Sequence, residues 1–310
     1  MGRILVTGAA GFIGSHTTER LLADGHTVLG VDNFRSGHRH NLTAALRQSA
    51  FRLVEADVAA ADAVDRLAAE FRPDAIIHLA ALVSVQESIR DPELNHRLNV
   101  TATERVAAAA LAHGVRRIVF ASSAAIYGDT TDLPIREETE KAPISPYGAA
   151  KLHAEGLLLG LAAQGVTVRC HRYFNVFGPR QDPASPYSGV ISIFDRRYRE
   201  GRGVTIYGDG RQTRDFISVH DVARANAIAA TQPGLASGAA NICTGRATSL
   251  LEIVGIFARH YPQAPAPRFE PGRPGEIIHS RGRAERAEAE LGFTAQVPVA
   301  EGLAELIRAG

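Results

Sequence analysis

TGAAGFIGS, Thr7 to Ser15, puts Gly8, Gly11 and Gly14 directly after the apolar run RILVTG (3–8). The spacing G-x-x-G-x-x-G suits a strand that turns sharply into a helix. Glycines let the backbone approach a pyrophosphate, and the helix N-terminus stabilises its charge. A tight turn without any ligand uses the same spacing, so neighbouring stretches must decide. A second apolar run, TVLGVD (27–32), ends in Asp32. That is about 20 residues past the glycines, where a carboxylate binds ribose hydroxyls. A carboxylate there disfavours a 2′-phosphate and so favours NAD over NADP. Arg35 and Arg39 follow closely and keep NADP open, since arginine accepts that phosphate. Phe12, Ile13 and Asn33 belong to the same two loops and are expected at the cofactor. The basic run HRH (38–40) reads as a solvated loop rather than a metal site.

Further apolar runs occur at AIIHLAA (75–81), RIVFASS (117–123) and VTVRCHRY (166–173). Their interiors are continuously apolar, as strands buried on both faces of a parallel sheet require. Helix candidates at 12–24, 60–70, 99–113 and 147–164 alternate with them. Repeated β-α units predict an α/β fold, a Rossmann-type doubly wound parallel sheet. From about residue 177 the texture changes to turn-rich loops such as GPRQDPASPYSG, and YPQAPAPRFEPGRPGE (261–276) is rich in proline and glycine. DFISVHDVARANAIAA (215–230) is expected to return to the first domain as a strand and helix. The boundaries follow: 1–174, joined by 215–243, form the dinucleotide domain. Residues 175–214 and 244–310 form a smaller C-terminal α/β substrate lobe.

Composition narrows the class. The 310 residues carry a net charge of +1, so no global field argues for nucleic acid or an anionic membrane. No apolar run approaches a membrane span of roughly 18 residues, and the N-terminus lacks a signal-peptide pattern. Cys170 and Cys243 make neither a disulfide framework nor a metal spacing. A cytoplasmic protein of enzyme size, with no metal, is expected.

Ligands of such sheets bind at the C-terminal ends of the strands. Asp57 and Val58 can border an adenine there. Leu79, Ala80 and Ala81 are small enough to permit close backbone approach. Asn99 suits two roles, bracing the neighbouring loop or capping a helix. His78 reads as a packed, hydrogen-bonded histidine. Ser122 and Ser123 sit at another strand end. SPYGAAK (145–151) comes about 24 residues later. Positions i and i+4 share a helix face, so Tyr147 and Lys151 point the same way. Ser145 and Pro146 also make good helix-start chemistry with an incidental tyrosine. A functional tyrosine needs a shifted pKa, since the free phenol titrates near ~10. A nearby ammonium and an oxidised nicotinamide would favour the phenolate.

TGAAGFIG, VDN, HLAA, SSAAIYG, YGAAK, RYFNVFGPRQDP, YGDGRQTRDFISVHDV and RPGEI together span essentially the whole chain. This set resembles the extended short-chain dehydrogenase/reductase family, in its nucleotide-sugar epimerase branch. Within that branch the chain is similar to UDP-glucose and UDP-N-acetylglucosamine 4-epimerases. The resemblance implies Tyr147 as acid/base and Lys151 as the residue that lowers its pKa and holds the nicotinamide ribose. Ser123 would bind the sugar O4 with Ser122 beside it, and Tyr173 would contact the cofactor. It places Asn175 on the nucleotide sugar, Val190 on the covering loop, and Thr205 and Tyr207 beside the uracil. Arg214 and Arg273 become diphosphate clamps and Glu276 a ligand of the uridine ribose. It also implies a homodimer through the helices at 99–113 and 147–164.

Dehydratase and decarboxylase branches carry acids just after the catalytic serine or threonine. Here Ala124 and Ala125 stand there. Reversible oxidation at C4 through a transient 4-keto sugar remains, with NAD regenerated each cycle and kept tightly bound. Glucose-restricted epimerases place a bulky tyrosine seven residues after the RPG-type arginine. This chain has Ser280, which leaves room for an N-acetyl group. The alternatives are a UDP-uronic acid 4-epimerase and an NAD(P)H-dependent nucleotide-sugar reductase.

Overall fold

Uninterrupted aliphatic runs need apolar cover on both faces, which only the interior of a sheet provides. The computed structural model describes residues 1–182, 189–272 and 277–309. In chain order its first elements are β1 Arg3–Thr7, α1 Phe12–Ala23, β2 Thr27–Asp32, β3 Phe51–Glu55, α2 Ala63–Phe71, β4 Ala75–His78, α3 Val85–Arg90, α4 Pro92–His96, α5 Ala102–Ala112, β5 Arg117–Ser123, α6 Pro146–Leu159 and β6 Thr167–Tyr173. There follow β7 Asn175–Phe177, α7 Val190–Arg199, β8 Thr205–Tyr207, β9 Thr213–Arg214, β10 Phe216–Ser218, α8 Val219–Thr231 and β11 Gly238–Ile242. Last come β12 Thr248–Ser249, α9 Leu250–His260, β13 Arg268–Glu270, α10 Glu285–Leu291 and α11 Val299–Ala309.

Seven strands form one sheet in the order β11-β6-β5-β4-β1-β2-β3, every pair parallel. The order reverses between β1 and β4. The strand ends there open a crevice, where such sheets take their ligands. Alternation along β1 shows the two-sided burial. Ile4 and Val6 join the core beneath α1 and α8, and Leu5 joins the core beneath α5 and α6. A separate core of Phe177, Phe194, Tyr198, Ile206, Phe257 and Leu303 underlies α7, α9 and α11. At the C-terminus of α11, Arg199 Nη2 donates to Leu306 O and Ile307 O at 2.8 and 2.9 Å. That satisfies carbonyls the helix leaves open. Among the described residues, no helix is long and apolar enough to cross a membrane.

Three elements differ from expectation. β3 was not foreseen, because its FRLVE sequence has Arg52 and Glu55 exposed. An edge strand needs cover on one side only, so its apolar run is broken. The strand of 216–218 does not enter the large sheet; it pairs with β7. The edge of β6 is taken by β11 instead, while α8 does return to the first core. The helix expected at 99–113 starts earlier, at Pro92 behind an Asp91 cap. It passes through a wide π turn at Arg97–Thr101.

Candidate active site

Gly11 occupies the N-cap of α1 with no side-chain cap, and the first turn contains no acid. The N–H groups there are left for an anionic ligand. Gly14 explains the need for glycine: a Cβ would lie 1.9 Å from Gly8 O. Gly14→Ala should therefore prevent NAD from copurifying, measured by the dinucleotide content of an acid extract. Asp32 accepts N–H bonds from Ala10 and Phe34, both at 2.8 Å. It braces the glycine turn and keeps a lone pair on each oxygen. Asn33 closes the following turn on Arg35 N at 3.1 Å. The Arg35 guanidinium, the candidate for a 2′-phosphate, lies 2.5 Å from Glu87 in α3. This uncapped helix start and braced carboxylate fit a dinucleotide without a 2′-phosphate.

The neighbouring strand ends complete this wall. Asp57 accepts from Ala59 N at 2.9 Å and pairs with Arg97 at 2.7 Å, and Val58 is buried in the core. Leu79 N and Ala80 N both donate to Thr7 Oγ1 at 3.2 Å, which ties the loop containing Ala81 to β1. Thr7 therefore donates its own proton to His78 Nδ1 at 2.8 Å. His78 Nε2 faces Thr103 Oγ1 at 3.1 Å, and Thr103 donates to Asn99 O at 2.7 Å. This network fixes the Nε2–H tautomer. Burial and the charge of Lys151 push the His78 pKa down to about 3, so it is a neutral structural histidine. Asn99 is no helix cap. It donates to Leu82 O and to Asn95 Oδ1 at 2.9 and 2.8 Å, and its own Oδ1 is buried without a partner among the described residues.

At the chemical end, β5 and β6 bring Ser123 and Tyr173 side by side in register. The Ser145 hydroxyl caps α6 by accepting from Gly148 N at 3.1 Å, with Pro146 in the first turn. Gly148 lets the helix sit against the turn after β5, since a Cβ would lie 2.7 Å from Ala125 O. Tyr147 thereby reaches Ser123, and Lys151 follows one turn later. Burial raises the Tyr147 pKa, and the hydrogen bond with Ser123 works against that rise. Lys151 is buried, donates to Ala121 O at 2.8 Å, and has its pKa lowered to about 7 by burial. Its ammonium lies 5.9 Å from the Tyr147 ring.

One expectation is corrected here. Ser122 does not sit beside Ser123 on the reacting face. Successive strand residues point to opposite faces, and the buried Ser122 hydroxyl donates to Glu155 Oε2 at 2.8 Å. Tyr173 directs its hydroxyl to Asn226 Oδ1 at 2.7 Å.

Asn175, Val190, Thr205, Tyr207 and Arg214 converge on one cleft of about 500 Å³. Arg214 Nη1 donates to Thr213 O at 2.9 Å. Ser280 N donates to Thr213 O at 3.1 Å, which pins Ser280 beside the strand that carries Arg214. Arg273 and Glu276 lie outside the described residues. A second hollow of about 400 Å³, at Arg72, Asp74, His113 and Arg116, opens at the N-terminal ends of the strands. It contains none of the expected residues. Among the described residues no group of His, Cys, Asp and Glu could hold a metal ion.

A family model for NAD-dependent epimerases and dehydratases matches residues 4–243. The chain belongs to that family. This epimerase/dehydratase is 41% identical to the UDP-glucose 4-epimerase of Mycolicibacterium smegmatis, over 98% of the chain and 97% of the relative. It is similar to the Thermotoga maritima UDP-glucose 4-epimerase solved with UDP-glucose (TM-score 0.92, 34% identity, 99% and 98% of the two chains). It also resembles the Methanobrevibacter ruminantium UDP-N-acetylglucosamine 4-epimerase solved with UDP-N-acetylmuramic acid (TM-score 0.93, 31% identity, 99% and 97%). The chain is an enzyme, and NAD is its cofactor.

Several residues of this family member escaped the sequence reading. Asn95 Nδ2 donates to Pro146 O at 3.1 Å, and Ser88 Oγ accepts from Tyr147 N at 3.2 Å. Together with Asn99 they brace the first turn of α6 against the loop after β4. The i, i+4 spacing of Asn95 and Asn99 was the available signal. Gln181 and Gln212 also line the cleft; a lone glutamine in a loop carries no such signal.

Proposed function

We propose that the chain is a UDP-hexose 4-epimerase that accepts UDP-N-acetylglucosamine and UDP-N-acetylgalactosamine as well as, or better than, UDP-glucose and UDP-galactose. The supporting observation is the Ser123–Tyr147 pair with Ala124 and Ala125 beside it. Ala125 contributes only its N–H, donated to Ser123 Oγ at 3.1 Å. One proton carrier serves one carbon centre, which suits epimerisation and not dehydration. Bound NAD would supply the two-electron acceptor and donor, and its oxidised ring would add positive charge to that of Lys151. Tyr147 accepts the proton of the sugar O4 and later returns it to the same oxygen. Ser123 orients that oxygen, and Lys151 holds the nicotinamide ribose. Gly8, Gly11, Phe12, Ile13 and Gly14 would take the pyrophosphate, and Asp32 the ribose hydroxyls. Asn175, Val190, Thr205, Tyr207 and Arg214 would hold the UDP-sugar in the cleft they line.

We read residues 1–174 with 215–243 as the NAD-binding part, and 175–214 with 244–310 as the UDP-sugar lobe. We read the protein as cytoplasmic and as a homodimer through α5 and α6, where Gly156 of α6 faces open space that a second helix could approach closely. The deciding assay supplies UDP-glucose, UDP-N-acetylglucosamine and their uronic acids without added NAD, and looks for each C4 epimer. A reductase would instead need added NAD(P)H. Ser280→Tyr should lower kcat/KM for the N-acetylated sugar by roughly tenfold or more while sparing UDP-glucose, since a steric gate discriminates by about this much. Undiminished N-acetyl turnover would refute the gate.

A further inference from the structure

Four residues after β7 touch both halves of the site. Gln181 lines the cleft with Asn175 and Arg214. Its neighbours reach the glycine-turn helix instead. His16 Nε2 donates to Pro179 O at 3.0 Å. Burial, joined by the charges of Arg180 and His220, lowers the His16 pKa to about 4, so it stays a neutral donor. Arg180 Nη2 donates to both carboxylate oxygens of Glu19, at 2.8 and 3.0 Å. Asp182 lies 3.9 Å from His38, whose backbone N–H donates to Ala10 O in the glycine turn at 3.0 Å. The segment thus runs along α1 from its second turn and reaches the rim of the glycine turn. Arg180 adopts φ +68°, a left-handed conformation that a non-glycine residue keeps only when its surroundings hold it. The side chains of Glu19 and Arg180 are 27% and 28% exposed, so water screens this pair less than a surface one.

We propose that Glu19 and Arg180 are positioning residues whose ion pair clasps the Pro179–Asp182 segment onto α1. The clasp slows NAD release and couples that release to occupancy of the cleft through Gln181. The coupling rests on the cleft being a UDP-sugar site; the clasp itself does not. Neither residue lies among the reacting groups, so the effect falls on retention and not on the proton transfer. Linkage makes it reciprocal: a ligand that orders the segment tightens NAD, and NAD tightens that ligand.

The test uses holoenzyme. Freed NAD is trapped by an excess of a second NAD-dependent dehydrogenase, and its release rate is followed with and without UDP. UDP binding to each sample is measured by calorimetry. Glu19→Gln should release NAD about tenfold faster, about 1.4 kcal/mol. UDP should slow release several-fold in the wild type and much less in Glu19→Gln. The charge-swapped double variant, Glu19→Arg with Arg180→Glu, should restore slow release and its response to UDP, and it serves as the readout where Glu19→Gln folds poorly. A wild-type release rate in Glu19→Gln overturns the clasp. An equal response to UDP in both proteins overturns the coupling. If the wild type binds no UDP, the UDP-sugar reading and the coupling fall together, and the release rate without UDP still decides the clasp.

Discussion

Replacing Tyr147 with phenylalanine should lower kcat by roughly 10²–10⁴, the usual contribution of a positioned acid or base, while NAD stays bound. Phenylalanine keeps the ring and the helix start. The glycine turn and Asp32 do not depend on the phenol oxygen, so the dinucleotide content of the purified variant should match that of the wild type. The large loss is expected because nothing nearby can replace the oxygen. Ala124 and Ala125 carry no acid, His78 has both ring nitrogens bonded to threonine hydroxyls, and Ser122 faces Glu155. Ser123→Ala should lose less, since Ser123 orients the sugar oxygen and tunes Tyr147 but does not take the proton. Single-turnover epimerisation with retained NAD is the measurement. A Tyr147→Phe protein that turns over at the wild-type rate would sink the acid/base assignment.

Some of this site could be read from residue order because it is local. The glycine spacing, the Ser145 cap and the i, i+4 pair of Tyr147 and Lys151 all lie within one or two turns of chain. The central strands were legible because burial on both faces leaves an unbroken apolar run. The edge strand at Phe51–Glu55 was not, because one exposed face mixes Arg52 and Glu55 into it. The choice between Ser122 and Ser123 was equally hidden. Both stand at a strand end, and only the sheet decides which hydroxyl faces the crevice. Spacing shows that Tyr147 and Lys151 meet, but it does not show how deeply they are buried, and burial is the largest cause of both shifts. Asn95 and Ser88 act on backbone atoms 51 and 59 residues away, at Pro146 and Tyr147. The i, i+4 spacing of Asn95 and Asn99 marks a shared helix face but not the distant backbone it meets.

Arg172→Leu should destabilise the protein by about 3–5 kcal/mol, the range for breaking a buried ion pair on one side. The Arg172 and Glu155 side chains are 6% and 4% exposed. Arg172 Nε donates to Glu155 Oε2 at 3.1 Å, and Nη2 donates to Oε1. Its Nη1 donates to Tyr127 OH at 2.8 Å and to Glu137 O at 3.0 Å. Tyr127 passes its own proton to Asn241 Oδ1 at 2.7 Å, and Asn241 N donates to Glu137 Oε1 at 2.7 Å. One network therefore joins β5, β6, β11 and the segment between β5 and α6, directly behind Ser123. Leucine at 172 would leave Glu155 charged and buried with little but the Ser122 hydroxyl, so most of the loss is desolvation without compensation. The double variant Arg172→Leu with Glu155→Leu removes both charges and fills the space with apolar atoms. It should recover much of the stability, as paired removal does elsewhere. Urea unfolding at saturating NAD measures both, with the midpoint of the double variant expected well above that of the single one. Equal midpoints for single and double variants would show that lost packing, and not the stranded carboxylate, sets the penalty.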